Sequence, residues 1–136
     1  MSEKNERTLI VIKPDGVRRG LVGAIISRFE NKGFKIVDLK MLTMTRAQAE
    51  EFYSPHAGKH FYEELISFIT SGPIVAAILE GPSSISVVRR MIGATNPLEA
   101  APGTIRGDYG FAITENLIHA SDSVESFIRE SKIIFS

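Results

Sequence analysis

Apolar residues along the chain fall into short continuous runs and helical stripes, and these two periods lay out most of its elements. Thr8-Leu9-Ile10-Val11-Ile12 is an unbroken, β-branched run closed by Lys13-Pro14-Asp15-Gly16, which predicts a strand buried on both faces and then a turn. Leu21, Val22, Ile25, Ile26 and Phe29 recur at i, i+4 and i+8, so 21–31 reads as an amphipathic helix stopped by Gly33. Phe34 to Thr43 mixes apolar and charged positions as a strand with one wetter face does, and a short helix follows from Arg46 to Tyr53. Helical spacing returns at Phe61, Leu65, Phe68 and Ile69 and ends at Ser71-Gly72-Pro73. Ile74 to Leu79 is a third strand buried on both faces, closed by Gly81-Pro82. Ser83 or Ser84 then caps a helix with the stripe Ile85, Val88 and Ile92, which leaves Arg89 and Arg90 on its flanks.

From Ala94 to Gly107 the chain has no period and carries Pro97, Pro102 and Gly103, the pattern of an ordered binding loop with Arg106 at its end. Phe111 to Ile113 and Leu117 to His119 are short apolar pieces, the second of them the last strand. Any of Ser121, Asp122 and Ser123 can cap a final helix marked by Val124, Phe127, Ile128 and Ile134. The order β-α-β-α-α-β-α-β-α fits either a doubly wound parallel sheet or a split-βαβ, ferredoxin-like one, and the pattern does not choose between them.

A length of 136 residues suits a single domain spanning 1–136. Sixteen basic residues balance sixteen acidic ones, so no global field points to nucleic acid or a membrane surface. The chain has no cysteine, hence no disulfide framework and no thiolate metal ligand, as in a cytoplasmic protein. Met1 to Arg7 is polar, and no apolar run approaches membrane-spanning length.

The candidate chemistry centres on His119, which follows an apolar strand and precedes a helix start. An imidazole with an ordinary pKa of about 6.5 offers a free lone pair near neutrality and can attack without a separate base. His56 and His60 lie four apart, but Pro55 and Gly58 break a helix through them and no third ligand accompanies them, so no metal site is expected. Neither the Walker A phosphate loop nor the dinucleotide glycine fingerprint is present. Lys13, Arg89 and Arg106 stand at element boundaries, where they are either scattered surface charges or the several cations that a triphosphate needs.

Asn116-Leu117-Ile118-His119-Ala120-Ser121-Asp122-Ser123 resembles the active-site signature of nucleoside diphosphate kinases. Ile12-Lys13-Pro14-Asp15-Gly16, the segment His56 to Phe61, Phe68 to Pro73, and Thr95-Asn96-Pro97 through Pro102 to Asp108 look like the same family in the same order. Ala120 stands where many members have glycine. The resemblance implies a ferredoxin-like α+β fold with a four-stranded antiparallel sheet. It also implies transfer of the γ-phosphoryl group of a nucleoside triphosphate to a nucleoside diphosphate, ping-pong, through a phosphohistidine on His119. By the same resemblance Lys13, Tyr53, Arg89, Thr95 and Arg106 surround the phosphates, and Lys13 and Asn116 approach the ribose. Phe61 and Ile113 pack on the base without reading its edges, which implies broad base specificity. Glu130 orients the imidazole with Ser121 between them. Magnesium arrives with the nucleotide, bound to phosphate oxygens rather than to a protein metal site. The assembly implied is a homo-oligomer, a hexamer rather than a tetramer, with Pro97 to Pro102 in its contacts. Two other readings compete: a nucleotide-binding scaffold that has lost turnover, and a nucleic-acid-binding ferredoxin-like domain. The complete set of nucleophile, cations and carboxylate opposes the first, and the apolar strands and zero net charge oppose the second.

Overall fold

The computed structural model describes residues 5–113 and 115–136. Its strands are β1 (Asn5–Ile12), β2 (Lys35–Leu42), β3 (Ile74–Pro82) and β4 (Ile118–Ala120), joined in one sheet of order β2-β3-β1-β4. Every neighbouring pair is antiparallel. β1 and β2 therefore run the same way with β3 between them, and β3 and β4 do so with β1 between them. This is the split-βαβ, ferredoxin-like α+β arrangement, and it excludes the doubly wound parallel sheet.

Helices cover both faces of the sheet because successive strand residues point opposite ways. Ile10 and Ile12 of β1 join a core with Ile25 and Phe29 of α2 (Val22–Lys32), Val88 and Ile92 of α5 (Ser84–Ile92) and Ile105 of α6 (Ile105–Tyr109). Leu9 and Val11 join the other, with Phe52 of α3 (Arg46–Phe52), Ile66 and Ile69 of α4 (Tyr62–Ile69), and Ile133 and Ile134 of α7 (Val124–Phe135). In β4, Ile118 and Ala120 belong to the first core. The alternation turns His119 between them toward α3 and α7, where Val11 is its partner on β1.

Several elements differ from the sequence reading in instructive ways. The expected turn at Lys13 to Gly16 opens α1 (Pro14–Arg18), because proline's fixed φ suits the first position of a helix as well as a turn. β3 continues through Gly81 to Pro82, which ends the ladder opposite Asn5. Neither Ser83 nor Ser84 caps α5 with its side chain. Ser83 is itself left-handed at φ 50°, and the carboxylate of Glu6, across on β1, accepts the Ile85 N–H at 2.9 Å. The loop from Ala94 yields to α6, so Arg106 stands inside a short helix capped by Thr104, not at a loop's end. Ser123 is the cap of α7. β2 pairs with β3 alone, bulges between Ile36 and Asp38, and carries exposed Leu39 and Met41. Among the described residues no helix is long and apolar enough to cross a membrane.

Candidate active site

His119 sits in β4 with its ring edge-on to Phe52, 4.9 Å between centroids. Its Nε2 lies 3.0 Å from Oε1 of Glu130, which projects from α7 and is almost fully buried. The Ser121 hydroxyl donates to that same oxygen at 2.7 Å. Ser121 thus stands beside the imidazole as a second donor to the carboxylate and does not lie between the two groups. Burial pushes the Glu130 carboxyl up, but the hydrogen bonds from His119 and Ser121 and the neighbouring positive charge outweigh it, so its pKa falls below the usual range. An ionised Glu130 accepts a proton-bearing Nε2 and leaves the lone pair on Nδ1.

That depressed carboxyl has two testable consequences. Its stabilising effect is complete above the ordinary carboxylate range and is lost as pH falls through the folded value, so Glu130→Gln should blunt the acid limb of unfolding. Glutamine keeps the oxygen acceptor and loses the charge. On the expectation that His119 takes a phosphoryl group, Glu130→Gln should slow that step by roughly tenfold to hundredfold in a rapid-quench assay, because the positive charge developing on the ring loses its counter-charge.

The three boundary cations come together on one cavity of about 640 Å³ that also reaches His119. Lys13, 6% exposed at the end of β1, donates from Nζ to Oδ1 of Asn116 at 2.8 Å, and Asn116 donates in turn to the Thr95 carbonyl at 3.0 Å. Burial, and then the Arg106 charge, lower the Lys13 pKa to about 8, with Asp15 opposing. Arg106 is equally buried and spends its guanidinium on three carbonyls, those of Asn116, Gly93 and Ile118. Arg89, on the last turn of α5, holds the Ala120 carbonyl at 3.0 Å and is otherwise exposed.

Holding Lys13 charged in this site costs the fold stability. Between about 8 and 10.5 the unfolded chain binds more protons at this position than the folded one, so stability rises with pH there. Lys13→Met should raise stability at pH 7 by about 2 kcal/mol, after discounting the lost bond to Asn116, in denaturant titrations. The gain should shrink above pH 8 and vanish once the unfolded lysine is also neutral.

Tyr53, Phe61, Thr95, Ile113 and Asn116 line the same cavity, so every residue singled out from the sequence except Glu130 and Ser121 borders it, and those two stand behind His119. Burial raises the Tyr53 hydroxyl well above its ordinary pKa. Phe61 meets the rings of His56 and His60 at 5.6 and 5.3 Å, while Ile113 is exposed. Sequence reasoning missed His56, His60, Glu64, Leu65, Phe68 and Asp122 as cavity residues. The sequence places the two histidines as a rejected metal pair and inside the family-like segment His56 to Phe61, without assigning either to the cavity. Their neighbours Tyr53 and Phe61 were the available signal that they face the cavity. Among the described residues no three histidine or carboxylate side chains gather to hold a metal.

An imidazole held by a buried carboxylate, facing a cavity walled by cations at one part and apolar rings at another, is the site of a group-transfer enzyme on a ferredoxin-like scaffold. The chain belongs to the nucleoside diphosphate kinase family, whose model matches residues 6–136. A nucleoside diphosphate kinase of Staphylothermus marinus is 66% identical over 130 residues, covering 96% of this chain and 92% of the relative. One of Fervidobacterium nodosum is 60% identical over 131 residues, 96% of this chain and 89% of that one. Among solved structures, the Halobacterium salinarum nucleoside diphosphate kinase in complex with CDP superposes with a TM-score of 0.95 at 46% identity, covering 98% of this chain and 89% of its own. The Aquifex aeolicus enzyme matches equally well at 47% identity, over 98% of this chain and 96% of its own. The protein is a kinase, a transferase that acts on nucleotides.

Proposed function

We propose that His119 accepts the γ-phosphoryl group of a nucleoside triphosphate on Nδ1 and passes it to a nucleoside diphosphate bound in the same cavity. In the first half, the Nδ1 lone pair attacks the γ-phosphorus and the bond to the β-phosphate oxygen breaks, so the diphosphate leaves with that oxygen. In the second, a β-phosphate oxygen of the incoming diphosphate attacks the same phosphorus and the N–P bond breaks. The proton on Nε2 stays against Glu130 throughout. The observation that carries this reading is the His119–Glu130 pair opening onto the cavity shared by Lys13, Arg89 and Arg106.

Lys13, Tyr53, Arg89, Thr95 and Arg106 are the residues we assign to the phosphates, with Lys13 and Asn116 within reach of the ribose hydroxyls. Phe61 and Ile113 offer a ring and an apolar surface to the base, contacts that any base satisfies, and broad base specificity follows. Among the described residues the cavity supplies fixed cations and no group of three metal-ligating side chains, and we assign Mg²⁺ to the phosphate oxygens of the substrate. On the same reading the chain is one domain, works in the cytoplasm and assembles as a homo-oligomer, a hexamer in preference to a tetramer.

Intact mass after brief incubation with ATP and magnesium tests the mechanism. One acid-labile phosphoryl group should appear, should be absent from His119→Ala, and should discharge when GDP is added. A chain that binds ATP and never gains the group would refute it.

A further inference from the structure

Asp15 has no part in the transfer described above, yet it is 2% exposed and lies directly beneath the site. Its Oδ2 accepts the backbone N–H of Leu117 at 3.1 Å, and its Oδ1 is buried with no hydrogen-bond partner. Leu117 is left-handed at φ 76°, and across it the Ile118 N–H donates to the Asn116 carbonyl at 2.9 Å. This is a three-residue turn of the rare, strained hand, built on a residue that is not glycine. Three groups hold it: the Asp15 carboxylate on the Leu117 N–H, the Lys13 N–H on the Leu117 carbonyl at 2.8 Å, and Arg106 on the Asn116 carbonyl at 3.2 Å. Gly16 lets α1 approach this closely, since a Cβ there would stand 2.8 Å from Ile12 and 3.3 Å from the Leu117 oxygen.

The turn separates Asn116, which holds the Lys13 ammonium, from His119. A neutral side chain could satisfy the one N–H, but the structure retains a buried carboxyl with an unused oxygen, which costs desolvation. The charged groups that act on Lys13 are Arg106 from α6 and Asp15 from α1; Asp15 is the acidic one, and burial pushes its own carboxyl up against the opposing pull of Lys13 and the Leu117 N–H. Arg89 on α5, Tyr53 beyond α3 and His119 on β4 share the cavity wall with Lys13.

We propose that Asp15 is a positioning residue for phosphoryl transfer: its carboxylate holds the strained turn at Leu117 that sets His119 and the Asn116 to which Lys13 is bonded, and its negative charge balances the cations gathered there. The proposal rests on the function argued above and deepens it.

Asp15→Asn keeps an oxygen for the Leu117 N–H and removes the charge. With ¹³C-labelled lysine, the Lys13 titration should move down by about one pH unit from its value near 8. The alkaline limb of phosphohistidine formation should move with it, so the rate at pH 8 falls by about five- to tenfold and the loss is smallest below pH 7. Asp15→Ala, which also frees the turn, should be slower at every pH. An Asp15→Asn protein with an unmoved Lys13 titration and an unmoved rate profile overturns the proposal. Should that variant not fold, the unsubstituted chain decides: the Asp15 carboxyl carbon must register the Lys13 titration, and a featureless trace through pH 8 overturns it equally. Absence of phosphohistidine in the unsubstituted chain would count against the proposed function, whereas the titrations report on Asp15 and Lys13 without turnover.

Discussion

His119→Ala should lose at least about 10⁴-fold in kcat while the protein remains folded and still binds nucleotide. Among the described cavity residues, neither Tyr53 nor His56 is set up to take its place. Tyr53 has its hydroxyl held neutral by burial. His56 lacks a buried carboxylate; its Nδ1 instead faces the Lys59 ammonium at 3.2 Å, and burial followed by nearby positive charge lowers its pKa. The fold should tolerate the change. Alanine forfeits the edge contact with Phe52, but Glu130 keeps the Ser121 hydroxyl at 2.7 Å and Arg129 at 3.6 Å, so the cost should be about 1–2 kcal/mol. Steady-state exchange, nucleotide titration and thermal unfolding on one preparation separate these effects. Retained exchange would defeat the assignment of His119 as nucleophile.

Arg106→Ala should damage activity and fold together, with a loss of about 10²-fold or more in kcat/KM and about 3–5 kcal/mol in unfolding free energy. The reason is that the guanidinium does two jobs. Its three bonds tie Gly93, Asn116 and Ile118, so one side chain fastens the end of α5 to the strand that carries the nucleophile. Truncation leaves the Gly93 and Ile118 carbonyls without this partner, while the Asn116 carbonyl keeps only the Ile118 N–H. Burial, with Arg89 adding to it, lowers the Arg106 pKa to about 10, still far enough above neutrality for the charge to persist. Arg106→Lys should rescue little, because one ammonium cannot span three carbonyls that a planar fork reaches. Denaturant unfolding alongside kinetics checks both halves, and an Arg106→Ala protein of unchanged stability would show that the bonds count for little.

The strands were legible in the sequence because β1 and β3 are buried on both faces, so Leu9 to Ile12 and Ile74 to Leu79 carry almost no polar interruption. The sheet's direction was not, since period and length are the same for parallel and antiparallel strands; the family resemblance supplied it. Helix starts misled wherever the cap came from afar. Glu6 serves α5 from 79 positions upstream, and nothing near Ser83 announces that. At the site, residue types that chemistry demands stood out, a histidine and three cations at element ends. Asp15 did not, because a proline, an aspartate and a glycine in a row read as a turn, and the partner that explains the aspartate lies 102 residues away at Leu117.

The wiring of Arg106 into the backbone also bears on how such a chain can diverge. A duplicated copy freed from catalysis can discard His119 and remain a folded, nucleotide-binding protein. It cannot as readily discard Arg106, because the side chain we assign to the phosphates also makes the three hydrogen bonds that tie the start of β4 to the end of α5. Descendants that abandon turnover should therefore keep their arginine longer than their histidine, and an inactive relative should be recognised first by what has changed at the strand's centre.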